Sequence, residues 1–206
     1  MKKILIIFFI IMIFILVVIA SISNNVDALC TLSGAFGTQS CLGKYFIERI
    51  YKIAEKKDIS DIFIDNLKND NKRALHFLYL RIIGVIGEKK ALNDFTSIYI
   101  EHQDEKESIE LFFVLDCIGL LGEEKAVIFL EKIINKKGQW ADLNYLISKS
   151  LYLLTGKKYD IINPEGEMEK FYVTDELIKA REVMLASKDR KRTFREMVIL
   201  DNLFRR

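Results

Sequence analysis

From Leu42 onward, apolar residues recur every three or four positions, the period of a helix that buries one face. LGKYFIERIYKIAEK sets Leu42, Phe46, Ile50 and Ile53 on one stripe. SDIFIDNLKND predicts a short second helix with Ser60 or Asp61 as its N-cap, because a short oxygen-bearing side chain can accept from the open amides of a first turn. The same periodicity predicts helices over 69–87, 88–101, 106–122, 123–137 and 139–155, with the charge-dense EHQDEKES as a link. Thr174, followed by Asp175 and Glu176, starts a further helix, TDELIKAREVMLASK, and DRKRTFREMVILDNLFRR closes the chain as another. Between them and the preceding helices, YDIINPEGEMEKFYV breaks the period at Pro164 and Gly166. Pro164 is the single proline; proline interrupts helices, so its scarcity favours an all-α chain.

The first 28 residues follow another pattern. Met1-Lys2-Lys3 is basic, and residues 4–20 carry no charge. A basic start, an apolar run and small polar residues beyond it make an export signal. Val18-Ile19-Ala20 and Val26-Asp27-Ala28 offer two cleavage sites. Residues 4–23 could instead stay as a single-pass anchor, since about 20 apolar residues cross a bilayer core. The expected organisation is a signal peptide or anchor over 1–28, a flexible segment over 29–41 and a helical domain over 42–206. The segment engages the membrane at least during export, placing the protein in the periplasm or at the cell surface, or anchored to the envelope.

The helical region repeats itself. Residues 84–92 read GVIGEKKAL, and 35 positions later residues 119–127 read GLLGEEKAV, identical at five of nine places. Gly87, Gly122 and Gly156 recur at spacings of 35 and 34, and Ala54 holds the same slot 33 residues before Gly87. Apolar slots align as well: Phe77 with Phe112 and Leu146, Leu80 with Leu115, Ile83 with Ile118 and Tyr152, Phe95 with Leu130, and Ile98 with Ile133. Each unit is a helix, a glycine turn and a returning helix. One such hairpin cannot bury its apolar face alone, so units stack.

LRIIGVIGEKKALNDF, LDCIGLLGEEKAVIFL and SLYLLTGKK resemble the HEAT-repeat family, in particular the short HEAT-like repeats also found in phycobilin lyases. The resemblance covers about residues 42–156 and is strongest over 74–156. It implies an α-solenoid of three to four helical hairpins, of armadillo-like helical type, with an irregular C-terminal cap. In it Gly84 and Gly119 would admit a closely packed helix, Gly87 and Gly122 would make the turns, and Glu88 and Glu123 would sit at the positive start of the returning helix.

Composition removes several functions. The net charge is +2, too small for a global nucleic-acid footprint. The basic stretch 188–206 could touch an anionic membrane or form a solvated helix face. The two histidines, His76 and His102, share no metal-ligand spacing. His76 reads as a half-buried helix residue and His102 as a solvated linker residue. In an exported chain, Cys30 and Cys41 around TLSGAFGTQS suggest a disulfide, while Cys117 lies in an apolar helix and reads as a small buried hydrophobe. No carboxylate pair, nucleophile motif or phosphate loop stands out, so no catalytic, cofactor-binding or metal residue is assigned.

The function these observations favour is a non-catalytic scaffold that binds a protein partner of unknown identity and no nucleic acid. A membrane-tethered structural protein is the alternative. A bilin lyase or alkylpurine DNA glycosylase on the same scaffold is a third reading, weakened by export. Helical geometry nominates the binding surface. Ala126, Val127, Leu130, Ile133 and Ile134 share the packed face of their helix. Phe129 flanks that face, where Tyr159, Ile161, Phe171 or Tyr172 could cover it. Ile128 and Lys132 point away from it, and one unit earlier Asn93 and Ser97 hold the equivalent places.

Overall fold

The computed structural model describes residues 25–104, 108–135, 140–163 and 165–204, with some positions between 6 and 18. The described chain is mostly helical and divides into two compact units between Ile59 and Ser60. Half of the expected export segment, 14 of its 28 residues, lies outside the described residues. The positions described between 6 and 18 are helical, and no helix among the described residues is long and apolar enough to cross a membrane.

In the first unit, α1 (Val26–Phe36) packs on α2 (Cys41–Lys56). Asn25 and Ser40 cap them by accepting from the Ala28 and Gly43 amides. Val26, Leu29, Cys30 and Ser33 are the buried stripe of α1, at helical spacing, and the Phe36 ring stacks on Phe46 at 6.1 Å. Two expectations change here. The segment 29–41 is helical as far as Phe36. No disulfide joins Cys30 to Cys41: Cys30 is turned into the helix–helix contact and buried, while Cys41 starts α2 and is exposed. The division before Ser60 puts α2 in the first unit with α1.

The second unit opens with α3 (Ser60–Leu67) and a 3-10 turn, Asp70–Leu75. Then come α4 (His76–Ile86), α5 (Leu92–His102), α6 (Ile109–Ile118), α7 (Lys125–Ile133) and α8 (Ala141–Thr155). A ribbon of β1 (Ile161–Ile162) and β2 (Met168–Glu169) follows, then α9 (Asp175–Ala186) and α10 (Phe194–Asp201). The repeated glycines act as the spacing predicts. Gly87, Gly122 and Gly156 end α4, the 3-10 extension of α6 and α8 at φ of 77°, 69° and 76°, a conformation that costs other residues about 1–2 kcal/mol. Glu88 and Glu123 then accept from the Lys90 and Lys125 amides and start the returning segments.

Helices α4, α6 and α8 lie side by side. A Cβ on Gly84 would sit 3.0 Å from Cys117 Cβ, and one on Gly119 would sit 2.6 Å from Ser150 Cα. These glycines therefore close the gap between successive first helices, not within a hairpin. Each second helix packs chiefly on the first helix that follows it, α3 on α4, α5 on α6 and α7 on α8, and not on the one before it as the helix–turn–helix unit predicts. Leu80, Ile83, Phe95, Leu115, Ile118 and Leu130, aligned in the sequence, are all fully buried. The C-terminal arm lies against the same helices, with α9 on α8 and α10 on α4.

Candidate functional site

Helices α5 and α7 bury Phe95, Tyr99, Ala126, Leu130 and Ile133 and leave their opposite sides to solvent. Asn93, Ser97 and Ile100 are exposed on α5, and Ile128, Glu131 and Lys132 on α7. Ile100 and Ile128 are 59% and 61% exposed, unusual for large apolar side chains on a well-packed unit. All four residues nominated from sequence are thus on the surface. Phe129 is half-buried, with Tyr99 edge-on at 5.3 Å as a partner that the sequence did not nominate. The neighbouring second helix supplies the ring, which the 35-residue repeat brings alongside. Phe171 packs instead on Tyr145 and Tyr152 at 5.5 and 6.3 Å, and the Tyr159 hydroxyl donates to Glu131 Oε1 at 2.8 Å.

The two histidines meet in space although no sequence motif links them. His76 and His102, with Glu101 and Glu110, line a cavity of about 100 Å³ walled by Leu67, Leu80 and Ile98. His102 ends α5 and is buried, not solvated, because the helix extends into the first two residues of the expected link. His76 is half-buried, and its Nε2 has no hydrogen-bond partner among the described residues. No three His, Cys, Asp or Glu side chains among the described residues are placed to hold a metal ion.

A charged cluster runs across α4, α6 and α8. Arg81 forms two bonds to Asp201 of α10 at 2.7 and 2.8 Å, both side chains buried. Lys149 pairs with Asp116, and the Phe204 ring lies 5.3 Å from the Arg81 guanidinium and 5.7 Å from the Lys149 ammonium. Cys117 sits beside this cluster. Burial, then the Asp116 charge, pushes its thiol well up, so it stays protonated and is no nucleophile.

Three of the five described basic residues in the C-terminal stretch are engaged within the protein. Lys188 pairs with Glu124 and Arg190 with Glu196. Arg192 is buried and donates to Gly84 O and Val85 O at 2.9 Å and to Leu120 O at 2.7 Å, with Ser187 Oγ at 3.4 Å. One guanidinium thereby bonds carbonyls at the ends of two successive first helices, where the intrahelical ladder runs out; Gly84 O also accepts from the Gly87 amide at 3.0 Å. Burial lowers its pKa to about 10 against the opposing Glu196 charge, so it is a cation at neutral pH. Sequence reasoning missed this clamp and the charged cluster. The signal was there: Arg81, Asp116 and Lys149 are lone charges inside apolar helices at nearly the repeat spacing.

No protein family matches the sequence, and no curated protein or solved structure matches the chain.

Proposed function

We propose that this chain is a HEAT-like repeat protein, exported or held at the cell envelope, that acts as a non-catalytic scaffold and binds a protein partner through the outer sides of α5 and α7. The carrying observation is that equivalent positions of two aligned second helices, Asn93 with Ile128 and Ser97 with Lys132, all face solvent. Side-by-side first helices closed up at repeated glycines support stacked HEAT-like hairpins, and the Tyr99–Phe129 ring contact brings α5 and α7 together. Ile128 and Ile100 give that surface its apolar anchors, since exposed aliphatic groups contribute most once a partner removes them from water.

The test separates binding from folding. Ile128→Asp is expected to leave the melting temperature nearly unchanged and to abolish recovery of a partner captured by the parent protein from the source envelope. Phe129→Asp is expected to lower the melting temperature, because it puts a charge against the Tyr99 ring. A partner that survives Ile128→Asp, or a protein that Ile128→Asp unfolds, removes this surface from consideration. A tethered structural role has its own support in Ile6, Phe9, Ile10 and Phe14, helical and 58–68% exposed, side chains suited to lipid. Retention of the full-length chain in washed membranes tests that reading.

A further inference from the structure

The β1–β2 ribbon has one edge closed and one open. The Asn163 amide donates to Glu167 O at 3.0 Å, and Ile161 pairs with Glu169. Antiparallel pairs alternate between facing each other and facing away. Ile162 and Met168, opposite each other between those two pairs, therefore turn their N–H and C=O groups outward on opposite edges.

On the β1 edge both outward groups are taken. The Ile162 amide donates to Asn135 Oδ1 at 2.9 Å, and Asn144 Nδ2 donates to Ile162 O at 2.8 Å. Asn135 also donates to Asp160 O at 3.1 Å, and its amide donates to Asn144 Oδ1 at 2.9 Å. Two asparagine side chains do the work of a neighbouring strand. Asn135 holds φ at 56° to do it, a conformation asparagine tolerates better than most residues.

On the β2 edge there is no counterpart. Among the described residues nothing bonds to the Met168 amide or carbonyl. Met168 is 71% exposed and Tyr172 74% exposed, with Ile162 opposite Met168 on the same face. Glu165, Glu167 and Glu169 are exposed along the same stretch and outnumber its one exposed cation, Lys170; Asn163 Nδ2 donates to Glu169 Oε1 at 3.3 Å.

We propose that the β2 edge is a strand-addition site for an extended segment of a partner protein in which basic and apolar residues alternate. Unpaired backbone groups select an extended chain, because only that conformation presents donors and acceptors at the matching period. The Ile162–Met168 face, with exposed Tyr172 farther along the chain, selects apolar side chains on one side of the added strand. The three glutamates select lysine or arginine. A second copy of this chain is the weaker occupant, since edge-to-edge pairing would set glutamates against glutamates, and like charges across a ladder are unfavourable. A two-stranded ribbon is marginal alone in water, and a third strand is what stabilises it. The site is separate from the α5–α7 surface and stands or falls independently of it.

Hydrogen exchange of the full chain, read by mass spectrometry, tests the site with two ten-residue probes, an alternating Lys–Val peptide and an alternating Glu–Val peptide. The Lys–Val peptide should slow exchange across residues 165–173 by about tenfold or more, and the Glu–Val peptide should not. Met168→Pro removes the outward N–H at an edge position where proline is tolerated, and should abolish the protection without changing the melting temperature. Should that variant disturb the ribbon, Glu167→Lys combined with Glu169→Lys serves instead and should reverse the preference toward the Glu–Val peptide. No slowing at millimolar Lys–Val peptide overturns the proposal. So does equal slowing by both peptides, protection that persists in Met168→Pro, or protection of the same residues that rises with protein concentration alone.

Discussion

Arg192 shows how much one side chain can hold. Its three carbonyl acceptors belong to two different helix ends, and bonds from a charged donor contribute about 1.5–3 kcal/mol each. Arg192→Ala is expected to destabilise the protein by about 3 kcal/mol or more, roughly a 10 °C fall in melting temperature for a domain of this size. Arg192→Lys keeps the charge but loses the fork, and should fall between the two; a melting curve equal to the parent's would show that the fork contributes nothing. Beside it, Glu196 makes the reciprocal capping box with Thr193 at the start of α10. The Arg190 bond, and then the Thr193 amide and hydroxyl, hold its carboxyl down at about 2 against burial, which acts the other way. A carboxylate whose folded pKa lies below its unfolded value of about 4.3 adds stability above that value and loses it as pH falls toward the folded one. The difference in melting temperature between the parent and Glu196→Gln should therefore be present at pH 6, shrink below pH 4.3 and vanish near pH 2.

At the scale of the helix pair, the glycine turns are similar in backbone and different in surroundings. Gly87 and Gly122 share a left-handed φ. A Cβ on Gly87 would meet the Arg192 guanidinium carbon at 2.7 Å, whereas on Gly122 the nearest guanidinium atom is 3.7 Å away. Gly122→Ala should cost about 1 kcal/mol, the backbone strain alone. Gly87→Ala should cost about 2–3 kcal/mol, because it also displaces the clamp; urea midpoints of the two variants check the order. These turns were legible in advance because left-handed geometry and close approach leave glycine as their mark, and the 35-residue period exposed it twice. The buried slots were legible for the same reason. The ribbon was not, although Gly166 at φ 86° marks its turn: two residues per strand are too few to show a period of two. Helix α1 was hidden by the Gly, Ser and Thr of TLSGAFGTQS, residues that read as flexible until Val26, Leu29, Cys30 and Ser33 are seen to share a buried side. Asn93, Ser97, Ile128 and Lys132 could be placed on the surface because solvent exposure follows from helical phase alone. Phe129's partner could not, since phase says nothing about which neighbour arrives.

For the whole second unit, the C-terminal arm ties together helices distant in sequence. Asp201 reaches Arg81 across 120 positions, and Arg192 reaches Gly84 across 108. Repeat arrays generally grow by copying units into themselves, because each unit needs only its neighbours. This one is closed to that route. Arg192 reads Gly84 and Val85 in one unit and Leu120 in the next, and neighbouring helices stand about 8–10 Å apart. A copy would leave Arg192 equivalent acceptors in Gly119 and Leu120, but it would set Asp201 against Asp116, which stands 35 residues after Arg81, in place of the arginine it now pairs with, and two buried carboxylates repel. A chain in which residues 88–122 are written twice is accordingly expected to melt below the parent in scanning calorimetry, although every added contact already exists in it. A higher melting temperature would show the array to be extensible. On that expectation the arm limits how many first helices the second unit can hold, and the limit acts at folding, before any partner is met.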